Sequence, residues 1–286
     1  MSQEIDLQHL KKWEGRSTTH TDILTAAPIA ALAATLDNGR LIETPPSLLP
    51  PCWHWLYCQS TPRQSDLDED GHAIRGAFHP PVPLPRRMWA GSRLSFLQPL
   101  TVGADIEQQS TVISVDAKKG RSGQLVFVLV RHETRSNGEL AIIEEQDIVY
   151  REPPETASVT APPLAPADAQ WEREIIPTDM LLFRYSALTF NTHRIHYSLP
   201  YATQVENYPG LVVHGPLIAT LLLDLLGRQY PDRRLASFSF RAVSPLFDTA
   251  PFFVCGKPSE NASEIELWAR SDTGHLAMTA RAVLQD

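Results

Sequence analysis

Hydrophobic positions along the chain change their period from one stretch to the next. In residues 23–36 they recur three and four apart in an Ala- and Leu-rich run, which predicts a helix ending at the Asn38-Gly39 breaker. Residues 53–58 form a second short apolar stretch after two Pro pairs, and Trp53-His54-Trp55 is expected in the core. Residues 59–88 are polar and then rich in Pro, which reads as loop. From residue 93 to residue 150 the pattern becomes alternating. It predicts strands at 93–96, 106–115, 124–134 and 140–150, with turns marked by Gly120, Gly123, Asn137 and Gly138.

The stretch 153–169 combines five Pro with much Ala, the composition of an extended linker. The expected domains are therefore 1–152 and 170–286, joined by residues 153–169. After the linker the order repeats. Thr178 is placed to cap a helix at 180–188, a short helix is expected near Pro200, and 214–229 is long and apolar; strands are expected at 235–242, 252–256, 264–271 and 275–284. Helices followed by antiparallel strands in both halves indicate an α+β fold, each half a central helix against its own sheet. Two such halves side by side would form a pseudo-dimer.

With 286 residues, 43% hydrophobic and 20% charged, the chain can build a large core without staples. Its apolar runs stop well short of the ~20 residues that span a bilayer, so no membrane segment is expected. The N-terminus lacks an apolar leader, and Cys52, Cys58 and Cys255 are odd in number without ligand spacing; a cytoplasmic location is the expectation. The Asn261 sequon then carries no meaning. A net charge of -8 argues against nucleic acid and for a small-molecule partner.

Chemically capable residues are densest in 183–197, which holds Tyr185, Asn191, His193, Arg194, His196 and Tyr197. His214-Gly215-Pro216 follows at the expected start of the long apolar helix. A helix opening on Gly presents free backbone N–H groups that can stabilise a thioester oxygen as it becomes an enolate. A nearby His can move a proton at neutral pH.

These residues resemble the MaoC-like, R-specific enoyl-CoA hydratases of the hot-dog fold, whose motif is Asp-x-Asn-Pro-(Leu/Ile)-His followed by His-Gly-x-Leu. Here the corresponding residues are Asn191-Thr192-His193-Arg194-Ile195-His196 and His214-Gly215-Pro216-Leu217. The resemblance implies a double hot-dog chain, with His196 as the catalytic His and Gly215 as the oxyanion-hole glycine. The family's Asp is Asn191 here, its Asn is His193 and its Pro is Arg194. An amide cannot act as a base, so the division of acid and base roles must differ. Residues 80–91, 120–133 and 144–152 are similar to a double hot-dog subgroup, the itaconyl-CoA or mesaconyl-CoA hydratases. The function this implies is hydration of a branched dicarboxylic enoyl-CoA, with CoA as part of the substrate and no separate cofactor. A homodimer is possible.

Several residues carry two readings. Asn191 either caps a turn or orients the attacking water. His193, His196 and His214 could ligate a metal, but no acid or Cys stands at matching spacing, so none is expected. His193, Tyr185 and His214 are candidates for the substrate pocket, which the first half is expected to help shape. A buried substrate carboxylate needs a cation, for which Arg194 is the first candidate and Arg86 or Arg87 the next. The competing functions are a fatty-acid-type 3-hydroxyacyl thioester dehydratase, a hot-dog acyl-CoA thioesterase and a non-catalytic thioester-binding subunit.

Overall fold

The computed structural model describes residues 5–43, 47–120, 123–152, 161–260 and 263–285. The first half runs α1 (Leu7–Leu10), β1 (Ser17–Ile23), α2 (Ala26–Thr35), α3 (Gly39–Glu43), β2 (Arg86–Phe96), β3 (Asp105–Gly120), β4 (Gly123–Ser136) and β5 (Glu139–Arg151). The second runs β6 (Trp171–Ile175), α4 (Asp179–Leu188), α5 (Gly215–Gln229), β7 (Leu235–Ala242), β8 (Phe252–Pro258), β9 (Glu264–Ser271) and β10 (Leu276–Leu284).

All ten strands join one antiparallel sheet in the order β1-β3-β4-β5-β2-β7-β10-β9-β8-β6. From either edge inward, each half reads first, third, fourth, fifth, second strand, so the two halves mirror one another across the β2–β7 seam. The seam pairs Gly91 with Arg241 through Ser95 with Ser237. A Cβ on Gly91 would stand 2.4 Å from the Phe240 carbonyl oxygen, so glycine is what lets the strands meet there. The repeat lies in the topology and is too faint to read in the letters.

Edge strands β1 and β6 fall outside the sequence expectation. In β1, Ser-Thr-Thr-His-Thr-Asp-Ile buries almost nothing and shows no apolar alternation. It takes the Ile23 end of the helix expected at 23–36, leaving α2 as the remainder. In the second half every residue of α5 from Leu217 to Leu226 is buried, Asp224 included. A helix apolar on all sides needs cover all round. Among the described residues the first half has no counterpart: its longest helix is α2, and between α3 and β2 only the 3-10 turns Trp53–Leu56 and Gln64–Asp66 occur. The long central helix expected in both halves is thus present in the second alone.

Asp224 accepts from Arg173 (2.5 Å), Arg228 (2.8 Å) and Asn38 (2.6 Å), so its buried charge ties α5 to β6 and to the end of α2. The Pro-rich segment is packed rather than free. Val82 and Leu84 cover the Val112, Val126, Val128 and Val130 face of the first half's sheet. Arg75 staples it by donating to the carbonyls of Val82, Leu84 and Pro85. Of the expected linker, 153–160 lies outside the described residues, as does Asn261. Residues 163–165 dock on the β9–β10 turn through Leu276 N to Pro163 O and Ala165 N to Gly274 O. No helix of the described residues is long and apolar enough to cross a membrane.

Candidate active site

Thr178 caps α4, its side chain accepting from Leu181 N, and the helix ends with Phe190 in the left-handed region at φ 49°. Asn191 N then donates to Ser186 O, closing a Schellman-type turn that costs about 1 kcal/mol of strain at a residue other than Gly. The turn redirects the chain into 191–196. Asn191 Oδ1 accepts from His193 N at 3.0 Å, so the turn-capping reading holds for that oxygen, and the Nδ2 donor is left to meet a ligand.

His196 is buried, with Nδ1 2.7 Å from the Val212 carbonyl oxygen. A carbonyl only accepts, so Nδ1 carries the proton and Nε2 is a free lone pair. Burial pulls this imidazole down from 6.5 to about 4, with the Val212 bond opposing and His72 reinforcing. It is therefore a neutral base at pH 7, and placing a proton on it there costs about 4 kcal/mol. The ring stacks on His214 at 3.7 Å and 18°. His214 in turn meets Ser186 Oγ through Nε2 (2.8 Å) and has no partner at Nδ1. An orphaned lone pair costs less than an orphaned N–H, which places its proton on Nε2. With no exposed surface, His214 backs His196 instead of touching a ligand, which corrects the expectation of substrate contact.

Gly215 opens α5 next to this stack. Its N–H donates to no described acceptor, and Pro216 has none to offer. A Cβ on Gly215 would meet nothing nearer than the Trp89 carbonyl oxygen at 3.9 Å. Packing does not require glycine here, and its backbone donor at the helix N-terminus has no acceptor among the described residues.

The other wall comes from the first half. A hairpin closed by the Leu67–Ala73 bridge lays Asp70, Gly71 and His72 against 192–194. Gly71, at φ +90°, is so close that a Cβ would overlap the Thr192 carbonyl oxygen. Thr192 Oγ1 donates to Gly71 O (2.5 Å), Arg194 N to Asp70 O (2.9 Å) and the Arg194 guanidinium to Glu69 O (3.1 Å). Asp70 accepts from His72 twice, from the ring Nδ1 (2.9 Å) and from the backbone N (2.8 Å). The His72 ring lies 4.1 Å from that of His193, which meets His196 edge-on at 5.4 Å.

Burial alone would raise the Asp70 carboxyl, but the two hydrogen bonds it accepts from the ring and the backbone of His72 override it and hold Asp70 ionised, well below its usual range. His72 is lowered by burial and by Arg87, and His193 by burial and by its neighbouring histidines, so both are neutral. Asp70, His72 and His193 have ligand atoms within 4.8 Å of one another. The sequence offers His193 no acidic ligand at matching spacing, and tertiary folding supplies one. Against a cation, Asp70 is already engaged by His72, and the charges of Arg87 and Arg75 bear on the same cluster.

The remaining candidates separate. Arg86 is committed to Glu206, with Nε 2.8 Å from the carboxylate and a bond to its carbonyl, so it is no free cation. Arg194 lies 4.3 Å over the Tyr201 ring while holding Glu69 and acts as a clamp on the hairpin. Tyr185 is sealed at 2% exposure, edge-on to His214, and forms no wall for substrate. Arg87, paired with Tyr150 across β2–β5, forms no ion pair among the described residues, although its charge reaches His72, His79 and His193. A cavity of about 860 Å³ between the halves, lined by apolar residues such as Leu48, Trp53 and Leu223 and by charged ones such as Arg40, Arg228 and Arg234, lies toward the opposite end of α5 from His196. Sequence reasoning missed Asp70 and His72. Their one signal was an acidic Asp-Glu-Asp-Gly-His run inside a Pro-bounded loop, which ordinarily reads as solvated.

Residues 52–248 match the family of hydroxyacyl-thioester dehydratases type 2. The chain belongs to this family. As such it is a hydro-lyase, MaoC-like and hot-dog in fold. Over 275 residues it is 46% identical to the mesaconyl-C(4)-CoA hydratase of Chloroflexus aurantiacus, covering 95% of this chain and 96% of that one. In fold it is similar to a MaoC-like dehydratase from Phytophthora capsici (TM-score 0.67, 12% identity, 99% and 98% of the chains). It is also similar to a Mycobacterium tuberculosis protein described as having a double hotdog fold (TM-score 0.57, 13% identity, 95% and 96%). The double hot-dog expectation therefore stands, carried by the mirrored strand order.

Proposed function

We propose that this dehydratase-family protein adds water to, and removes it from, an enoyl-CoA thioester whose acyl group bears a free carboxylate. The mesaconyl-C4 class is favoured, with itaconyl-CoA entering through it in itaconate breakdown. The carrying observation is the pairing of a neutral His196, its free Nε2 aimed by Val212, with the unused N–H of Gly215. Water attacks the β-carbon while His196 Nε2 takes its proton. The π electrons move onto the thioester oxygen, which accepts from Gly215 N–H. The proton on His196 then returns to the α-carbon, leaving hydroxyl and hydrogen added and the enzyme reset. Asn191, through Nδ2, is the donor suited to hold the water.

For the substrate carboxylate the reading moves from Arg194 to Arg87, because Arg86 is neutralised by Glu206 and Arg194 is spent on the hairpin. The 46% relative supports the dicarboxylic class. The family description favours a second reading, a fatty-acid-type dehydratase taking longer chains. An assay of the full chain against mesaconyl-, itaconyl-, crotonyl- and longer enoyl-CoA, with product mass, separates them. The expected result is a product heavier by one water, no free thiol, and at least about tenfold preference for mesaconyl- over crotonyl-CoA. Arg87→Met should erase that preference and leave crotonyl-CoA within about threefold. Preference for long chains favours the second reading, and release of thiol marks a thioesterase.

A further inference from the structure

The carboxylate that the 191–196 segment lacks is present in space. We propose that Asp70, carried on the first half's hairpin, acts through His72 and His193 as the counter-charge to the imidazolium formed on His196, replacing the acid that Asn191 cannot be. This rests on the hydratase reading above and names the group that makes it work without a motif Asp.

The geometry runs in one line. Asp70 binds His72 through both oxygens, the His72 ring abuts His193, and His193 stands edge-on to His196. Asp70 also has an oxygen within 4.8 Å of a His193 ring nitrogen. The hairpin is fixed by the glycine approach at Thr192 and by the bonds from Thr192 and Arg194. Those contacts explain why a basic residue stands at 194: its guanidinium holds the carbonyl of Glu69, the residue before Asp70. Around this line the other groups are Arg75 and Arg87, which are positive, and His79 and His214, which burial keeps neutral. Glu69 beside Asp70 is exposed and directs only its carbonyl inward. Asp70 is thus the carboxylate in contact with the cluster among the described residues.

The need for it follows from the base. A histidine that burial makes reluctant to take a proton is a poor acceptor unless a negative charge is waiting nearby. No proton leaves Asp70. One proton moves from water to His196 and on to the α-carbon, and Asp70 lowers the cost of the interval, as preorganised charge does in a water-poor site. Asp70 and His72 are positioning residues in this account, since they act through His193.

The test uses Asp70→Asn and Asp70→Glu in the full chain, with two readouts. In kinetics with the preferred enoyl-CoA, Asp70→Asn should lose about 10²-fold in kcat with KM within about threefold, and Asp70→Glu should regain at least about a tenth of wild-type activity. Independently of substrate, histidine-labelled NMR from pH 7.5 to 4.5 should show His196 beginning to take up its proton in the wild type and lagging by about half a pH unit or more in Asp70→Asn. Superimposed titration curves, or kcat retained above about a third of wild type, overturn the proposal. A kcat loss that comes with a several-degree fall in Tm and no rescue by Glu also overturns it, in favour of simple docking of the hairpin. If the wild type hydrates no enoyl-CoA yet the titration shifts, the coupling stands and the hydratase reading is what fails.

Discussion

The two halves share one strand order and differ in what fills the space against the sheet. The second half sets a fifteen-residue helix there and begins it at Gly215 beside His196. The first half has a short turn, Trp53–Leu56, entered through Cys52 at φ 66°. Its buried acid is Glu144, which accepts from Ser92 (2.8 Å) and Trp55 (2.9 Å) and contacts His54 at 3.4 Å. Burial would raise this carboxyl, but its contacts with His54 and Trp55, with His132 nearby, bring it to about 2. Both halves therefore bury titratable groups. In one an imidazole keeps a lone pair with no partner among the described residues, next to a helix N-terminus, and in the other a carboxylate is satisfied. An unsatisfied group can do chemistry, whereas a satisfied one holds structure.

The largest effect should come at the free lone pair. His196→Gln is expected to lower kcat by about 10³-fold, read by steady-state kinetics. The same residue shapes acid sensitivity. Below the ordinary value of 6.5 the unfolded chain takes up a proton that folded His196 refuses until about pH 4, so stability is lost as pH falls through that window. The share from His196 is about 3 kcal/mol, and denaturant titrations at pH 7 and 4.5 should show a smaller difference in His196→Gln than in wild type. Equal pH dependence in both proteins would mean His196 is not buried neutral.

Glu144→Ala should act in the opposite currency. It strands the donors of Ser92 and Trp55 and should cost about 3 kcal/mol of stability, measured by urea unfolding, with kcat near wild type for the folded fraction. A folded variant of normal stability and lost activity would give Glu144 a catalytic role of its own. Gly215→Ala is the smallest of the three in free energy. Its methyl has room in the protein, so Tm should hold, while an added side chain before the backbone donor should lower kcat by about 10²-fold. A fall in Tm with normal kcat would return this glycine to packing.

Much of this was legible from residue order. The strand run 93–150 and the long helix at 214–229 follow from periodicity, because burying one face of a strand or all of a helix leaves a pattern in the letters. His196 and Gly215 were legible because motif and helix start lie close together in the chain. The edge strands β1 and β6 were not: β1 has little to bury and carries no apolar alternation, and β6 alternates over five residues only, with Arg173 standing inward between Trp171 and Ile175. Arg86, Arg87 and Arg194 looked alike in sequence. Only the fold decided that Glu206 takes the first, that the hairpin takes the last and that Arg87 is left without an acid among the described residues.

By itself the sequence determined the sheet-forming pattern, the helix that buries itself and the imidazole next to a helix N-terminus. Each of these is a local property of neighbouring residues. Tertiary structure decided the mirrored joining of the halves at Gly91 and the placing of Asp70 and His72 beside His193, more than a hundred residues away in the chain. Electrostatic neighbours act through space and fall off over a few ångströms, so which acid serves which histidine is settled by how the loop folds back and by nothing in the spacing of the letters.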